Sequence, residues 1–589
     1  MDMEFIELMD CIRRLDNIDP PMFACTAPNA DGYSFLRLQP QGAIQYGKIS
    51  GVWLRESEHT EKCRAFLRLA RSTNADLLLF PEYCLPYDLL REIAADEELW
   101  PENHKLWVLP CQGIPIPDFD NFLSECRTHP NLFLIEDGWS NPGVNKKRFV
   151  TALFYCFRIW HTIEKRWKLC FVPQLKTHPM GDGYCKCELS GMCTGNTIYT
   201  IDHRLITLLC ADSLNDDITW AKICGNVTDG LILLHPQLNK SPKNEVFLRL
   251  LREIVNHTKP GLYLSCNWAA DTNVYPDGET SQPDICIDIS WSAIYRKRAD
   301  SFSEQWFRDQ KLRKNNADCG LFGAVMPTEQ IEVWYSDSTV HGLMVQLPNL
   351  SSSGFGPTQL KRILAESLYH WDAQYLTWEP VDYPRTALQQ RLHAIGKGPF
   401  SRYSKEFKAP YRFPLDTPNK LETDRFWALT LTADSEKALK MESLDLPCAW
   451  TLLLDENDLD RGRDALIRLL HLIHILEVPE NFPPRFEAIA QNHEFCCHIP
   501  ETGHPAVNLT SGSAEMLVAF AADDVKAEQY AAQLVRTECH GDKDLAARTV
   551  GVFYMDPVTG QPCMAPELSA DITRGDHVNV KGGIIDGGN

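Results

Sequence analysis

The sequence predicts a layered α/β fold followed by a smaller α+β region, and three observations carry that reading. Apolar runs suited to strands buried on both faces alternate with helical patterns from about residue 60 to 266. The stretch Pro348-Asn-Leu-Ser-Ser-Ser-Gly-Phe-Gly-Pro357 then has the composition of a linker. Beyond it, strand and helix signals resume in a shorter, mixed series.

Taken in order, residues 1–40 read as an N-terminal extension with prolines at Pro20, Pro21 and Pro28. From Thr60, the residues Cys63, Phe66, Leu67 and Ala70 recur at helical spacing, giving a helix over 60–74. Ala75-Asp-Leu-Leu-Leu-Phe-Pro-Glu82 follows as a buried strand broken by Pro81. Further strands are expected at 105–110, 131–136, 150–160, 166–174, 205–210, 230–235 and 261–266, with helices at 216–224 and 244–256. The charged, turn-rich stretch 268–329 reads as a partly exposed insertion, and 330–335 with 341–347 as a closing pair of strands. The expected domain therefore covers 41–350. A helical and irregular linker region covers 351–425, including a helix at 358–371. An α+β domain at 426–575 would contain strands 426–432, 450–455, 516–521 and 549–555 and helices 460–476 and 525–539. The tail 576–589, with Lys581-Gly-Gly and Asp586-Gly-Gly, reads as flexible.

Composition limits the function classes. With 58 basic and 79 acidic residues among 589, the formal charge is −21, which argues against a general nucleic-acid binder but leaves room for a local basic groove. Hydrophobic residues at 44% and charged residues at 23% exclude wholesale disorder. No apolar run of about 18 residues predicts a membrane span. The acidic start Met1-Asp-Met-Glu-Phe lacks the basic and apolar regions of a signal peptide, so a cytoplasmic protein is expected. In that setting the 21 cysteines, an odd number, are read as mostly buried reduced thiols rather than a disulfide framework.

Three polar residues stand at the ends of expected strands, where ligand crevices form in α/β sheets. They are Glu82, Lys176 in Phe171-Val-Pro-Gln-Leu-Lys176, and Cys210 in Leu205-Ile-Thr-Leu-Leu-Cys210-Ala-Asp212. Singly, each is ordinarily structural: a strand cysteine is inert, and a Glu or Lys after a strand lies at the surface. Together they offer a nucleophile, a base and a cation. The Cys210 thiolate would gain from a following helix N-terminus and attack an electrophilic carbon. Glu82 would move protons, and Lys176 would neutralise an oxyanion.

These contexts resemble the nitrilase, or carbon–nitrogen hydrolase, superfamily. Helix 60–74 leading to Leu-Leu-Leu-Phe-Pro-Glu82, the lysine after a strand and Leu-Leu-Cys210-Ala-Asp carry the resemblance. Leu231-Ile-Leu-Leu-His-Pro236, Leu264-Ser-Cys-Asn267 and His341-Gly-Leu-Met344 extend it over roughly 40–350. The resemblance implies an αββα sandwich that pairs into homo-oligomers, and a Glu–Lys–Cys triad hydrolysing amides or nitriles without cofactor or metal. Glu82 would be the base and Cys210 the nucleophile. Lys176 is the preferred lysine, Lys168 the alternative, and Glu188 the candidate second carboxylate. Tyr83, Asp212, His235 and Asn267 are expected around the pocket. The N-terminal strand of the family is not legible before Thr60, and the region from 351 onward resembles nothing familiar.

Other groupings compete. His178, Cys185, Cys187 and Cys193 have metal-binding residue types but not paired-knuckle spacing. His493, Cys496, Cys497, His498 and His504 fit a strand with flanking loop histidines, in which neighbouring cysteines face opposite ways. His235 with Cys210 would make a peptidase-like dyad, although a lone His before Pro is ordinarily structural. The stripe Leu466, Leu469, Leu470, Ile473 and Leu476 reads as core, with His471 and His474 solvated. The expected function is an amidase-like hydrolase with a small-molecule substrate, no membrane or nucleic-acid partner, and a protein partner for 426–575. The alternative is an inactive or sensor module in a multiprotein assembly such as a bacterial antiviral defence complex.

Overall fold

A computed structural model describes residues 3–382, apart from 137–146, 181–186, 240–259, 299–315, 351–361 and short gaps, and pieces of 439–565. They fall into two compact units, one within 1–385 and 420–449 and the other within 386–419 and 450–589.

The first unit is built on two large mixed sheets. In one, Gly32–Gln39 lies beside Leu77–Leu79, which lies beside Leu106–Pro110, all parallel. Antiparallel Ala152–His161 and Arg166–Leu175 continue that side. His341–Pro348, Leu364–Asp372 and Thr377–Val381 continue the other. Every residue of Leu77–Leu79 and Leu106–Pro110 is buried, as expected of parallel strands covered on both faces. Helices Ser57–Ser72, Tyr87–Ala95 and Ile116–Thr128 cover one face, where Phe66, Leu67, Leu90 and Phe122 pack on Leu36, Leu78, Trp107 and Phe154. Pro117 sits in the first turn of the third helix, where a missing N–H costs nothing.

The second sheet runs Thr197–Ile201, Leu205–Thr207, Leu231–Pro236, Gly261–Cys266, Ala293–Lys297 and Ile331–Ser336. Cys266 Sγ donates to Leu38 O at 3.0 Å and Gln174 Nε2 to Thr207 O at 2.9 Å, so the two sheets are joined directly.

Four expectations require correction. Residues 1–40 are no extension: Glu4–Glu7 pairs with Thr197–Ile201, and Gly32–Gln39 is an interior strand. The described parts of 268–329, read as a partly exposed insertion, include sheet strands: Thr272–Pro276 pairs with Ala43–Gly47 and buried Ala293–Lys297 joins the second sheet. The linker region 351–425 begins with two sheet strands, Leu364–Asp372 and Thr377–Val381.

The helix expected at 358–371 is the first of these, and its error has a physical source. The ladder slips between Met344 and Val345, leaving exposed Glu366 as the extra residue of a bulge. Ala365, Leu368 and Tyr369 are buried as a result, at the spacing of a helical face.

In the second unit, Ala514–Phe520, helix Asp524–Thr537 and Val550–Met555 form a parallel strand–helix–strand crossover packed around Ala519, Ala527, Tyr530, Leu534 and Val552. Ala506–Ser511, Glu494–His498 and Pro562–Met564 complete that sheet. The elements expected at 244–256, 426–432 and 460–476, and the tail, lie outside the described residues. Among the described residues no helix is long and apolar enough to cross a membrane.

Candidate active site

Glu82 is presented by a strand that is forced to stop. Phe80 N still donates to Val108 O, but Pro81 has no N–H for the ladder. The chain turns through Tyr83 at φ 61°, a left-handed conformation costly for a residue with a Cβ, and Leu85 N rejoins Pro110 O at 2.9 Å. Trp268 Nε1 donates to Glu82 O at 2.8 Å and fixes the turn.

Lys176 follows Arg166–Leu175, with its N–H on Thr151 O at 2.8 Å and its C=O taking Gly195 N–H at 2.9 Å. A Cβ on Gly195 would lie 2.7 Å from Leu175 Cβ, so only glycine allows that approach. Cys210 opens a single five-residue turn, Cys210–Leu214, after Leu205–Thr207 and sits at φ 34°.

These elements bring Glu82, Lys176 and Glu188 into one buried group, with Cys210, also fully buried, interacting with Glu82 and Lys176 by charge. Lys176 Nζ lies 2.9 Å from Glu82 Oε1, 2.8 Å from Glu188 Oε2 and 2.8 Å from Tyr83 Oη. Tyr83 Oη donates to Glu188 Oε1 at 2.5 Å, and Met180 N to Glu188 Oε2 at 2.7 Å. Burial opposes the ammonium, yet Glu188, Glu82 and Cys210 outweigh it and hold Lys176 protonated, its pKa well above the ordinary lysine value. Burial raises Glu82 to about 7, against the pull of Lys176 and with a further push from Glu188. Burial also drives the Cys210 thiol well above its usual range, and the charge of Glu82 adds to this, while the sulfur itself lies 3.9 Å from Leu238 O.

Of the two candidate lysines, Lys176 is the one beside Glu82, Glu188 and Tyr83. Lys168 sits along the strand opposite Ile159 and pairs with Glu164 at 2.5 Å, away from the group. The helix N-terminus expected to favour the Cys210 thiolate is replaced by a short 3-10 turn, and the thiol is pushed the other way.

Asp212 acts as a tie. Its Oδ1 accepts from Thr177 N, Thr177 Oγ1 and His178 N at 2.7, 2.9 and 3.0 Å, and its Oδ2 from Leu209 N at 3.1 Å. The residue after Lys176 is thereby bound to the turn carrying Cys210. Burial raises Asp212 to about 6 despite these donors. His235 faces the backbone of Cys210: its Nε2 lies 3.0 Å from Cys210 O and its Nδ1 2.6 Å from Tyr263 Oη. Burial lowers His235 to about 4, so it is neutral near pH 7 and braces the nucleophile turn rather than forming a dyad with the sulfur. Asn267 Oδ1 accepts from Asn239 N and Trp268 N, both at 3.0 Å, and so supports the residue that holds Glu82.

Thr177 and Trp268 were missed. Their signal was faint, since each acts only through hydrogen bonds that position other groups and neither residue type suggests chemistry. Of the first cysteine cluster, Cys185 lies outside the described residues, while burial raises Cys187 to about 12 and Cys193 upward. Of the second, His493, His504 and the side chains of Cys496, Cys497 and His498 lie outside the description.

The solved structures to which the chain is similar include members of the nitrilase, or carbon–nitrogen hydrolase, superfamily. One is Saccharomyces cerevisiae Nit3, a member of branch 10 of that superfamily, at 12% identity and a TM-score of 0.26 over 53% of this chain and 92% of that one. Another is a carbon–nitrogen hydrolase from Helicobacter pylori, at 10% identity and a TM-score of 0.25 over 45% of this chain and 82% of that one. A glutamine-dependent NAD+ synthetase from Acinetobacter baumannii matches at 12% identity and a TM-score of 0.30 over 63% of this chain, which spans only about half (52%) of that one. No protein-family profile and no curated protein matches the sequence.

Proposed function

We propose that the chain is an amidase-like carbon–nitrogen hydrolase built on an αββα sandwich, with Cys210 as nucleophile, Glu82 as general base and Lys176 as oxyanion partner. The observation that carries this reading is the meeting of the three groups. Lys176 Nζ is 2.9 Å from Glu82 Oε1, and Cys210 is fully buried with them, its thiol raised by the charge of that carboxyl and lowered by that of the ammonium.

Cys210 is held as a thiol and Glu82 sits near 7, so complete proton transfer before attack is uphill. The proton moves to Glu82 as the sulfur bonds to the amide carbon. Lys176 faces the oxygen on which negative charge develops. The C–N bond then breaks, Glu82 returns the proton to the leaving nitrogen, and ammonia or an amine departs. Water gives a proton to Glu82 and attacks the thioester, and the carboxylic acid and the Cys210 thiol are released.

A second reading, an inactive or sensor module, draws on the complete burial of Glu82, Lys176 and Cys210, because a substrate must find a way in. In either case a homodimer through the sandwich and a protein partner for the strand–helix–strand sheet near the C-terminus are part of the proposal.

One experiment separates the readings: ammonia release and intact-protein mass across a panel of amides and nitriles, for wild type and Cys210→Ala. Hydrolysis predicts a thioester adduct on wild type and at least about a 10³-fold loss of turnover in a folded variant. Turnover unchanged by Cys210→Ala sinks the proposed mechanism, and no turnover on any panel member favours the sensor.

A further inference from the structure

A second buried cluster lies on the other side of the Glu82 turn. His59 and Cys63 stand one turn apart on helix Ser57–Ser72, and Cys84 lies two residues past Glu82. All three are buried, and their ligand atoms lie within 4.8 Å of one another. We propose that His59 Nε2, Cys63 Sγ and Cys84 Sγ form a structural zinc site that ties this helix to the turn presenting Glu82 and Tyr83.

The distances fit a tetrahedral ion. Zinc–sulfur bonds of about 2.3 Å and zinc–nitrogen bonds of about 2.0 Å set tetrahedral edges of roughly 3.8 Å for S–S and 3.5 Å for S–N. Cys63 Sγ and Cys84 Sγ are 3.8 Å apart, and His59 Nε2 lies 3.3 Å from the first and 3.6 Å from the second. The Cys84 carbonyl oxygen, 2.9 Å from His59 Nε2 and 3.5 Å from Cys63 Sγ, offers the fourth position.

Charge agrees with burial. Zinc displaces one proton from each thiol and binds a neutral imidazole, giving a site of zero net charge that can sit in a core. His59 is oriented by stacking on Trp268, ring centroids 5.3 Å apart, while its Nδ1 has no hydrogen-bond partner among the described residues. Gly42 leaves room for that stack, since a Cβ there would lie 3.2 Å from the indole. A disulfide is a poorer fit, because the sulfurs are nearly twice a bond length of about 2.05 Å apart and closed off from solvent.

The role argued for Glu82 is not needed here, so activity does not test it. The test uses the full-length protein, purified under reducing conditions and reconstituted with zinc. One zinc per chain is expected. Zinc-edge X-ray absorption should show two sulfurs at about 2.3 Å and at least one imidazole nitrogen at about 2.0 Å. Cobalt(II) in place of zinc should give sulfur-to-metal charge-transfer bands, lost in Cys63→Ala/Cys84→Ala and weakened in His59→Gln. Trace zinc in the reconstituted wild type overturns the site, as does a sulfur count other than two, which needs no variant to fold. An unchanged cobalt spectrum in the double variant, or a Cys63–Cys84 disulfide found by peptide mass mapping, overturns it equally.

Discussion

Cys210 and Cys63 are both fully buried, and both interact with the short segment running from Glu82 to Cys84, yet their thiols are driven in opposite directions. Burial alone raises a thiol, as it does at Cys111, Cys156, Cys170 and, to about 12, at Cys266. At Cys210 the neighbouring carboxylate adds to that rise. At Cys63 the Cys84 hydrogen bond and the His59 imidazole reverse it. The sign of the nearest partner, rather than depth, therefore decides whether a buried cysteine is held as thiol or thiolate. A nucleophile of the first kind needs its base during attack, whereas at the second cluster Cys63 is lowered and its neighbour Cys84 is driven well up by burial and by Cys63.

The largest expected effect comes from removing the cation of the first cluster. Lys176→Met leaves Glu82 and Glu188 facing each other without the charge they share. Breaking a buried pair in this way costs about 3–5 kcal/mol, read from urea unfolding. The Cys210 thiol should rise further and turnover fall at least about 10²-fold. Cys63 should not move, because the charges acting on it come from His59, Cys84 and Lys62. A matching shift at Cys63 would show that the two clusters are one electrostatic unit.

A smaller effect concerns pH. Glu82 works as a base only when ionised, so kcat/KM should rise with pH through about 7. Stability should respond oppositely. The folded-state value is raised above the ordinary carboxylate value of 4.5, so between the two the folded protein binds more protons than the unfolded one. Stability from this group is present below pH 4.5 and lost as pH rises toward about 7. Glu82→Gln should flatten that slope. Stability that climbs through the same window in wild type, with a slope that Glu82→Gln removes, would mean that Lys176 outweighs burial.

Much of the first cluster was legible because it lies at strand ends, and apolar runs ending in Glu82, Lys176 and Cys210 announce those ends. Lys176 over Lys168 was also legible, since a residue within a strand cannot reach the crevice at its end. The supports were not. Asp212, His235 and Asn267 were picked out as pocket residues, but the bonds by which they brace the site run mainly to backbone groups, whose positions no residue type reveals. The second cluster was hidden differently: Cys63 fits the apolar stripe of its helix, and its partner Cys84 lies 21 residues away across a strand and a turn. Gly32–Gln39 was overlooked because the polar residues Ser34, Arg37 and Gln39 break its apolar run, although all are buried.

The smallest effect tests whether His59 and Cys84, rather than a surface charge, hold Cys63 down. Lys62 adjoins Cys63 and lowers its pKa as the least of the favourable causes. Its ammonium pairs with Glu58 at 3.1 Å, and that carboxylate is half exposed, so water screens the charge. Exposed pairs are worth about 0.2–1 kcal/mol, and one pH unit corresponds to about 1.4 kcal/mol. Lys62→Met should therefore raise the Cys63 titration by less than about 0.7 units, followed in metal-free protein by NMR of ¹³Cβ-labelled cysteine. His59→Gln should raise it more. If Lys62→Met moves Cys63 further than His59→Gln does, the imidazole is not what opposes burial, and the contrast with Cys210 reduces to proximity of a surface lysine.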